Sequence, residues 1–190
     1  VQLWVPEPGD GLPVVEGVFQ QTIEGPRGTF VGSQPADLPD AWMRRLVDEA
    51  TRLAVLLQNL GYYGRCSLDA VLAGATLADA EPHWLECNGR WGGVSIPMTL
   101  ANRLTGDWRR HPFAVVQREA GPFDPLPTAR ALERLGELLF RPGGTDEGIV
   151  LLSPRLTAEG RGLNFMAIAG TAERARALAL AATGRLTRRD

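Results

Sequence analysis

The chain has 190 residues, 44% of them apolar and 22% charged, with a formal net charge of -2. Such a length supports one domain with a sizeable core, or a domain with an appendage. The balance excludes disorder, a basic polyanion-binding block and any general attraction to nucleic acid or anionic membrane.

All 20 basic residues are arginine, so no Schiff base and no phosphate-holding lysine can come from this chain. Cys66 and Cys87 are the 2 cysteines. They have no metal-ligand spacing and form no disulfide framework, and both are expected reduced, in strands, facing the core. No apolar run approaches the roughly 20 residues of a membrane span, and no secretory signal opens the chain, so the expected location is cytoplasmic. Val1 reads as the middle of a strand, which suggests a fragment of a longer polypeptide.

Val1 to Val5 alternates and breaks at a Pro- and Gly-rich turn through Gly11. Leu12 to Gln21 resumes the strand character and Gly28 to Gly32 adds a third run, so an antiparallel meander is expected. Glu16, Gln20 and Gln21 read as exposed polar residues of the second strand. Asp37-Leu38-Pro39-Asp40 has the acidic cap and early proline of a helix start. Trp42, Leu46, Ala50, Leu53, Leu57 and Leu60 then recur at three and four, one face of a long amphipathic helix that Gly61 ends.

Tyr62 to Leu72 reads as a strand with Arg65, Ser67 and Asp69 on one face. Gly74 to Glu81 turns and Pro82 to Asn88 runs back, giving a hairpin. In Trp84-Leu85-Glu86-Cys87-Asn88-Gly89-Arg90-Trp91-Gly92-Gly93, alternation points Glu86, Asn88 and Arg90 together and sends Leu85 and Cys87 into a core. Such a run is either a solvated face with a weak ion pair or a site. The glycine turn that follows, where backbone can approach a ligand closely, favours the site. Oxygen donors at Glu86 and Asn88 suit magnesium, with water and phosphate filling its other positions. Arg90 could hold a phosphate oxygen or a carboxylate through two hydrogen bonds. Asp69, opposite or diagonal across the hairpin, would complete a cluster of two carboxylates and an amide.

Ser95 opens a helix to about Leu104, whose positive end suits either a substrate carboxylate or plain surface packing. His83 and His111 lack partners at ligand spacing and read as ordinary polar residues. Residues 128–140 read as an amphipathic helix, and Gly143-Gly144-Thr145 lacks the Lys-Ser/Thr ending of a phosphate loop. Strands over Ile149 to Ser153 and Leu163 to Ala169, an alanine-rich helix from Thr171 to Leu186 and a frayed Arg188-Arg189 end complete the chain. The expected fold class is α+β, an antiparallel sheet flanked by helices. A first part, 1–105, carries the hairpin, and residues 106–190 pack as an extension on the same sheet.

The order helix, Gly-Tyr-x-Gly at Gly61 to Gly64, strand ending in Asp69, hairpin, then Leu-Glu-x-Asn-x-Arg at Leu85 to Arg90 resembles the C-terminal half of an ATP-grasp domain. Val15 to Gln20, Thr29 to Ser33 and Gly148 to Arg155 look most like the peptide ligases of the pheganomycin biosynthesis type. The resemblance implies ATP and Mg2+ as cofactors, with Asp69 and Glu86 as magnesium-binding carboxylates, Glu86 bridging, and Asn88 completing the set. Arg90 matches the arginine that contacts the phosphate or the reacting carboxylate, and Arg65 is a further anion contact without a firm counterpart.

A carboxylate-amine ligase working through an acyl phosphate would follow, with small-molecule or peptide carboxylate and amine substrates. The family's lysine-bearing, nucleotide-clamping half is not in this sequence and is its implied partner. The alternative is a binding or structural module that keeps the scaffold without chemistry. The sequence does not specify the oligomeric state, and a homo-oligomer is compatible with it.

Overall fold

The computed structural model describes residues 1–118, 126–153 and 162–187. Pro154, Arg155 and the Arg188-Arg189 end, read from the sequence above, lie outside them. The fold is α+β, with antiparallel sheets and flanking helices. The chain divides into two compact units, Val1–Phe19 with Ala36–Ile96, and Gln20–Pro35 with Pro97–Asp190.

In the first unit, strands β1 (Gln2–Val5), β2 (Val14–Gly17), β5 (Gly64–Ala73) and β6 (Glu81–Asn88) form a sheet in the order β2-β1-β5-β6. Helix α1 (Asp40–Asn59) covers one face, because its stripe of Ala50 and Ala54 meets Leu3, Val5, Cys66 and Leu68 in one buried cluster. These sheet residues are spaced by two and the helix residues by four, the two periods that put side chains on a common face. Pro39 occupies the N-cap position and no side chain caps the helix, so of the expected acidic start only Asp40 acts, as a first-turn charge near the positive end. Gly61 adopts φ +91°, the left-handed conformation that terminates the helix and sends the chain back along the sheet.

Gln58 is buried at 7% exposure although it sits among apolar positions. Its amide donates to Pro6 O and Gly11 O, each at 3.0 Å, and so closes the connection between β1 and β2. Leu60, expected on the core stripe, is exposed instead. It lies past the last helical turn, where the stripe has already left the sheet.

In the second unit, β3 (Phe19–Glu24), β4 (Thr29–Pro35), β7 (Phe113–Arg118), β8 (Gly148–Ser153) and β9 (Leu163–Ile168) form a sheet in the order β3-β4-β7-β9-β8. Helix α2 (Ser95–Thr105) precedes β7. Helices α3 (Thr128–Leu135) and α4 (Ala172–Leu186) bury Leu135, Leu178 and Ala182 with Ala114, Phe165 and Ala167 of the sheet. The hydroxyl of Thr171 caps α4 by accepting from Arg174 N at 3.1 Å.

Two expectations about the sheets differ from the structure. Val18 interrupts the run from Leu12 to Gln21, so it forms β2 in one sheet and β3 in the other, not one strand of a meander. The strands after residue 105 pair with β3 and β4 in a second sheet, where a single shared sheet was expected. The pivot of that second sheet is β7, whose core Phe113-Ala114-Val115-Val116 is too short an apolar run to separate from helix by periodicity alone.

Substituting Gln58 with Ala is expected to destabilise the fold by about 1–3 kcal/mol, since two backbone carbonyls lose their donor together. Urea denaturation of the variant against the parent chain measures it.

Candidate functional site

The face of the first sheet opposite α1 carries the polar residues, and the β5–β6 pairing sets their order. Ser67 stands opposite Asn88, Leu68 opposite Cys87, and Asp69 opposite Glu86. The register then shifts, so that Ala70 opposes Trp84 and Leu85 is the extra residue of a β-bulge. The bulge turns Trp84 toward α1, where it packs on the core cluster and its indole N–H donates to Glu49 Oε2 at 2.9 Å. That hydrogen bond, with the neighbouring Arg45, holds the Glu49 carboxyl below its ordinary value. The stabilisation it contributes is therefore present above the usual carboxylate range and lost as pH falls through it.

The expectation that Leu85 and Cys87 both enter a core is corrected here. Leu85 is 67% exposed because the bulge displaces it. Cys87 does stand opposite Leu68, but β6 is the edge strand of its sheet and leaves the thiol exposed. Cys66 is fully buried, and burial, reinforced by nearby Cys87, pushes its thiol up to about 11. Partial desolvation raises Cys87 as well, so neither is poised as a thiolate.

Asp69, Glu86 and Asn88 come together on the polar face, Asp69 and Glu86 as direct cross-strand partners. Asn88 Nδ2 donates to Asp69 Oδ2 at 3.3 Å. Asn88 Oδ1 accepts from Arg90 Nη2 at 3.1 Å. Arg90 arrives by a different route from the alternation expected of a strand. β6 ends at Asn88, Arg90 N donates to Asn88 O at 2.9 Å, and the resulting tight turn folds the guanidinium back over the strand end. A second donation, from Arg90 Nη1 to Trp91 O at 3.4 Å, holds it there. Gly89 leaves little room in this turn: a Cβ would lie 3.0 Å from the Tyr62 ring, which would have to shift to take it, and the hydroxyl of that ring donates to Arg65 O at 2.7 Å.

Arg65 lies on the same face but not in the cluster. Its two terminal nitrogens pair with the two carboxylate oxygens of Glu16, Nη2 to Oε1 at 3.1 Å, and its side chain is only 12% exposed. The guanidinium carbon sits 4.6 Å from the Trp91 ring centroid and 5.9 Å from that of Trp4. Any anion reaching Arg65 must therefore compete with Glu16. Glu16 was expected as a plain surface residue, and nothing in its spacing signals otherwise. It is the extra residue of a second bulge, since Leu3 opposes Val15 and Gln2 opposes Gly17. Ser95, expected as a helix cap, instead accepts from Gly92 N at 2.7 Å and closes the glycine turn. His83 is exposed on β6, opposite Val71.

Among the described residues, no group of three or more His, Cys, Asp and Glu is placed to hold a metal. The donor set on this face is instead two carboxylates and one amide oxygen. That fits a hard cation such as magnesium, which takes one or two carboxylates and completes its shell with water and phosphate. Asn88 Oδ1 accepts one hydrogen bond from Arg90 and keeps a second lone pair that a cation could use. Among the described residues, no helix is long and apolar enough to cross a membrane.

No family model matches the chain, and no curated protein matches it. Among solved structures, it is similar to a protein from Archaeoglobus fulgidus provisionally ascribed to the ATP-grasp superfamily, with a TM-score of 0.48 and 16% identity. The likeness covers 90% of this chain and 44% of that one, so the chain spans less than half the length of that protein.

Like charges directly opposite on neighbouring strands repel. Glu86→Gln is therefore expected to stabilise the cation-free chain by about 0.2–1 kcal/mol, and a large excess of magnesium is expected to narrow that gap by stabilising only the parent. Thermal denaturation of both proteins with and without magnesium gives the comparison.

Proposed function

We propose that this chain is the magnesium-binding part of an ATP-grasp carboxylate-amine ligase. The observation that carries the reading is the cross-strand pairing of Asp69 with Glu86, with Asn88 beside them and Arg90 tied to its amide. It is joined by the sequence resemblance over Gly61 to Arg90. Peptide ligation of the pheganomycin type is the narrower form, supported by the likeness of Val15 to Gln20 and Thr29 to Ser33.

The reaction has two balanced steps. A substrate carboxylate oxygen attacks the γ-phosphorus of ATP and displaces ADP, giving an acyl phosphate. The amine then attacks the acyl carbon, inorganic phosphate leaves, and the amine gives up a proton to form the amide. No side-chain nucleophile is needed, so catalysis consists of positioning and charge stabilisation.

Asp69, Glu86 and Asn88 would hold the metal, which when bound neutralises charge on the phosphate oxygens. The guanidinium of Arg90 would move from Asn88 Oδ1 to a phosphoryl or carboxylate oxygen and present two parallel N–H donors to it. The resemblance assigns the clamping of the α- and β-phosphates and the adenine to the family's lysine-bearing half, and this chain has no lysine.

The test is ADP and phosphate release by the complete polypeptide, supplied with magnesium, ATP and a mixture of amino acids and short peptides. Substrate-dependent release that is lost in a folded Glu86→Ala variant is expected. Full turnover in that variant would contradict the reading, and so would the absence of magnesium-dependent nucleotide binding, which would favour a non-catalytic module.

A further inference from the structure

The Arg65 cluster is not used by the ligand set just described, yet it is built with more care than an exposed sheet face needs. A guanidinium that is mostly withdrawn from water is matched by Glu16 and seated against two tryptophan rings. Its Nε is buried without a partner. Such a group is costly to hold unless its geometry serves something. The contact that leads away from it is Trp91.

Trp91 belongs to a segment flanked by Gly89, Gly92 and Gly93, tied at its ends by Arg90 N to Asn88 O and by Gly92 N to Ser95 Oγ. The residue is about half exposed, at 51%. The ring is nevertheless placed over Arg65, and the carbonyl of the same residue accepts from Arg90. A continuous chain of contacts thus runs from Glu16 through Arg65 and Trp91 to Arg90, and on through Asn88 to Asp69.

We propose that Arg65 is a positioning residue, which anchors Trp91 through the cation–π contact and so holds Arg90 at the end of β6 beside Asn88. Glu16 orients Arg65, and the bulge at Glu16 is what lets its carboxylate reach. Arg65 touches no reacting atom in this account. Its guanidinium is the essential feature, because a lysine at this position keeps the charge opposite Glu16 but cannot pair with both carboxylate oxygens while lying over the indole.

The side-chain Nε–H signal of Arg90 reports its order without any need for turnover. Steady-state heteronuclear NOE measurements on 15N-labelled chain, with the Arg90 signal assigned through Arg90→Lys, are expected to show an ordered Arg90 in the parent. Loss of that order is expected in Trp91→Ala and in Arg65→Lys, and its retention in Trp91→Phe, where the flat ring survives. Trp91 is half exposed, so its variants keep the core intact even if Arg65→Lys does not fold.

Unchanged Arg90 order in folded Trp91→Ala would overturn the proposal, as would equal loss in Trp91→Phe and Trp91→Ala. What Arg90 then does to a phosphoryl or carboxylate oxygen rests on the ligase reading. If the complete enzyme turns over, kcat is expected to fall about tenfold in Trp91→Ala with KM for ATP little changed, the pattern of an interaction made only in the transition state. If it neither turns over nor binds nucleotide with magnesium, the ligase reading fails and the NMR result still decides the positioning role.

Discussion

The register of β6 against β5 is the constraint on which the rest of the first unit depends. Two facts must hold together: Trp84 must reach the core beneath α1, and Glu86 and Asn88 must stand on the opposite face with Asp69. In a regular strand, residues 84, 86 and 88 would share one face, and the two demands would conflict. The bulge at Leu85 resolves the conflict by inserting one unopposed residue between them. The core is satisfied on one side of the hairpin and a hydrophilic cluster on the other, at the expense of exposing Leu85.

A cross-strand pair of carboxylates is a poor structural feature. Directly opposed like charges destabilise a sheet, and a scaffold selected for stability alone would replace one of them. Their persistence next to an amide and an arginine is understandable if a cation neutralises them. The network among these groups points the same way, for Asn88 divides its amide between Asp69 and Arg90. The amide thus bridges an anion and a cation, and under the proposed function both of its partners would turn to a metal and a phosphate.

Much of this was legible in the sequence because it rests on short-range periodicity. The spacing of two along β5 and of three and four along α1 gave the faces, and Gly61 gave the end of the helix. The hairpin put Asp69 near Glu86 on a turn-length argument alone. What escaped were long-range matters: the bulges at Glu16 and Leu85, the burial of Gln58 to close a loop some 50 positions earlier in the chain, and the ion pair between Glu16 and Arg65. A bulge leaves no local signature when its residues have ordinary strand propensities. The second sheet escaped for a related reason, since the short β7 acquires its meaning only by lying between β4 and β9.

The central claim is that the face holding Asp69, Glu86 and Asn88 takes a divalent cation. Manganese, a paramagnetic substitute for magnesium with the same preference for oxygen donors, tests it directly when titrated into 15N-labelled chain. The account predicts selective broadening of the Asn88 side-chain amide and the backbone amides of Asp69 and Glu86, abolished by Glu86→Gln. Broadening centred elsewhere, or unaltered by that substitution, would contradict it.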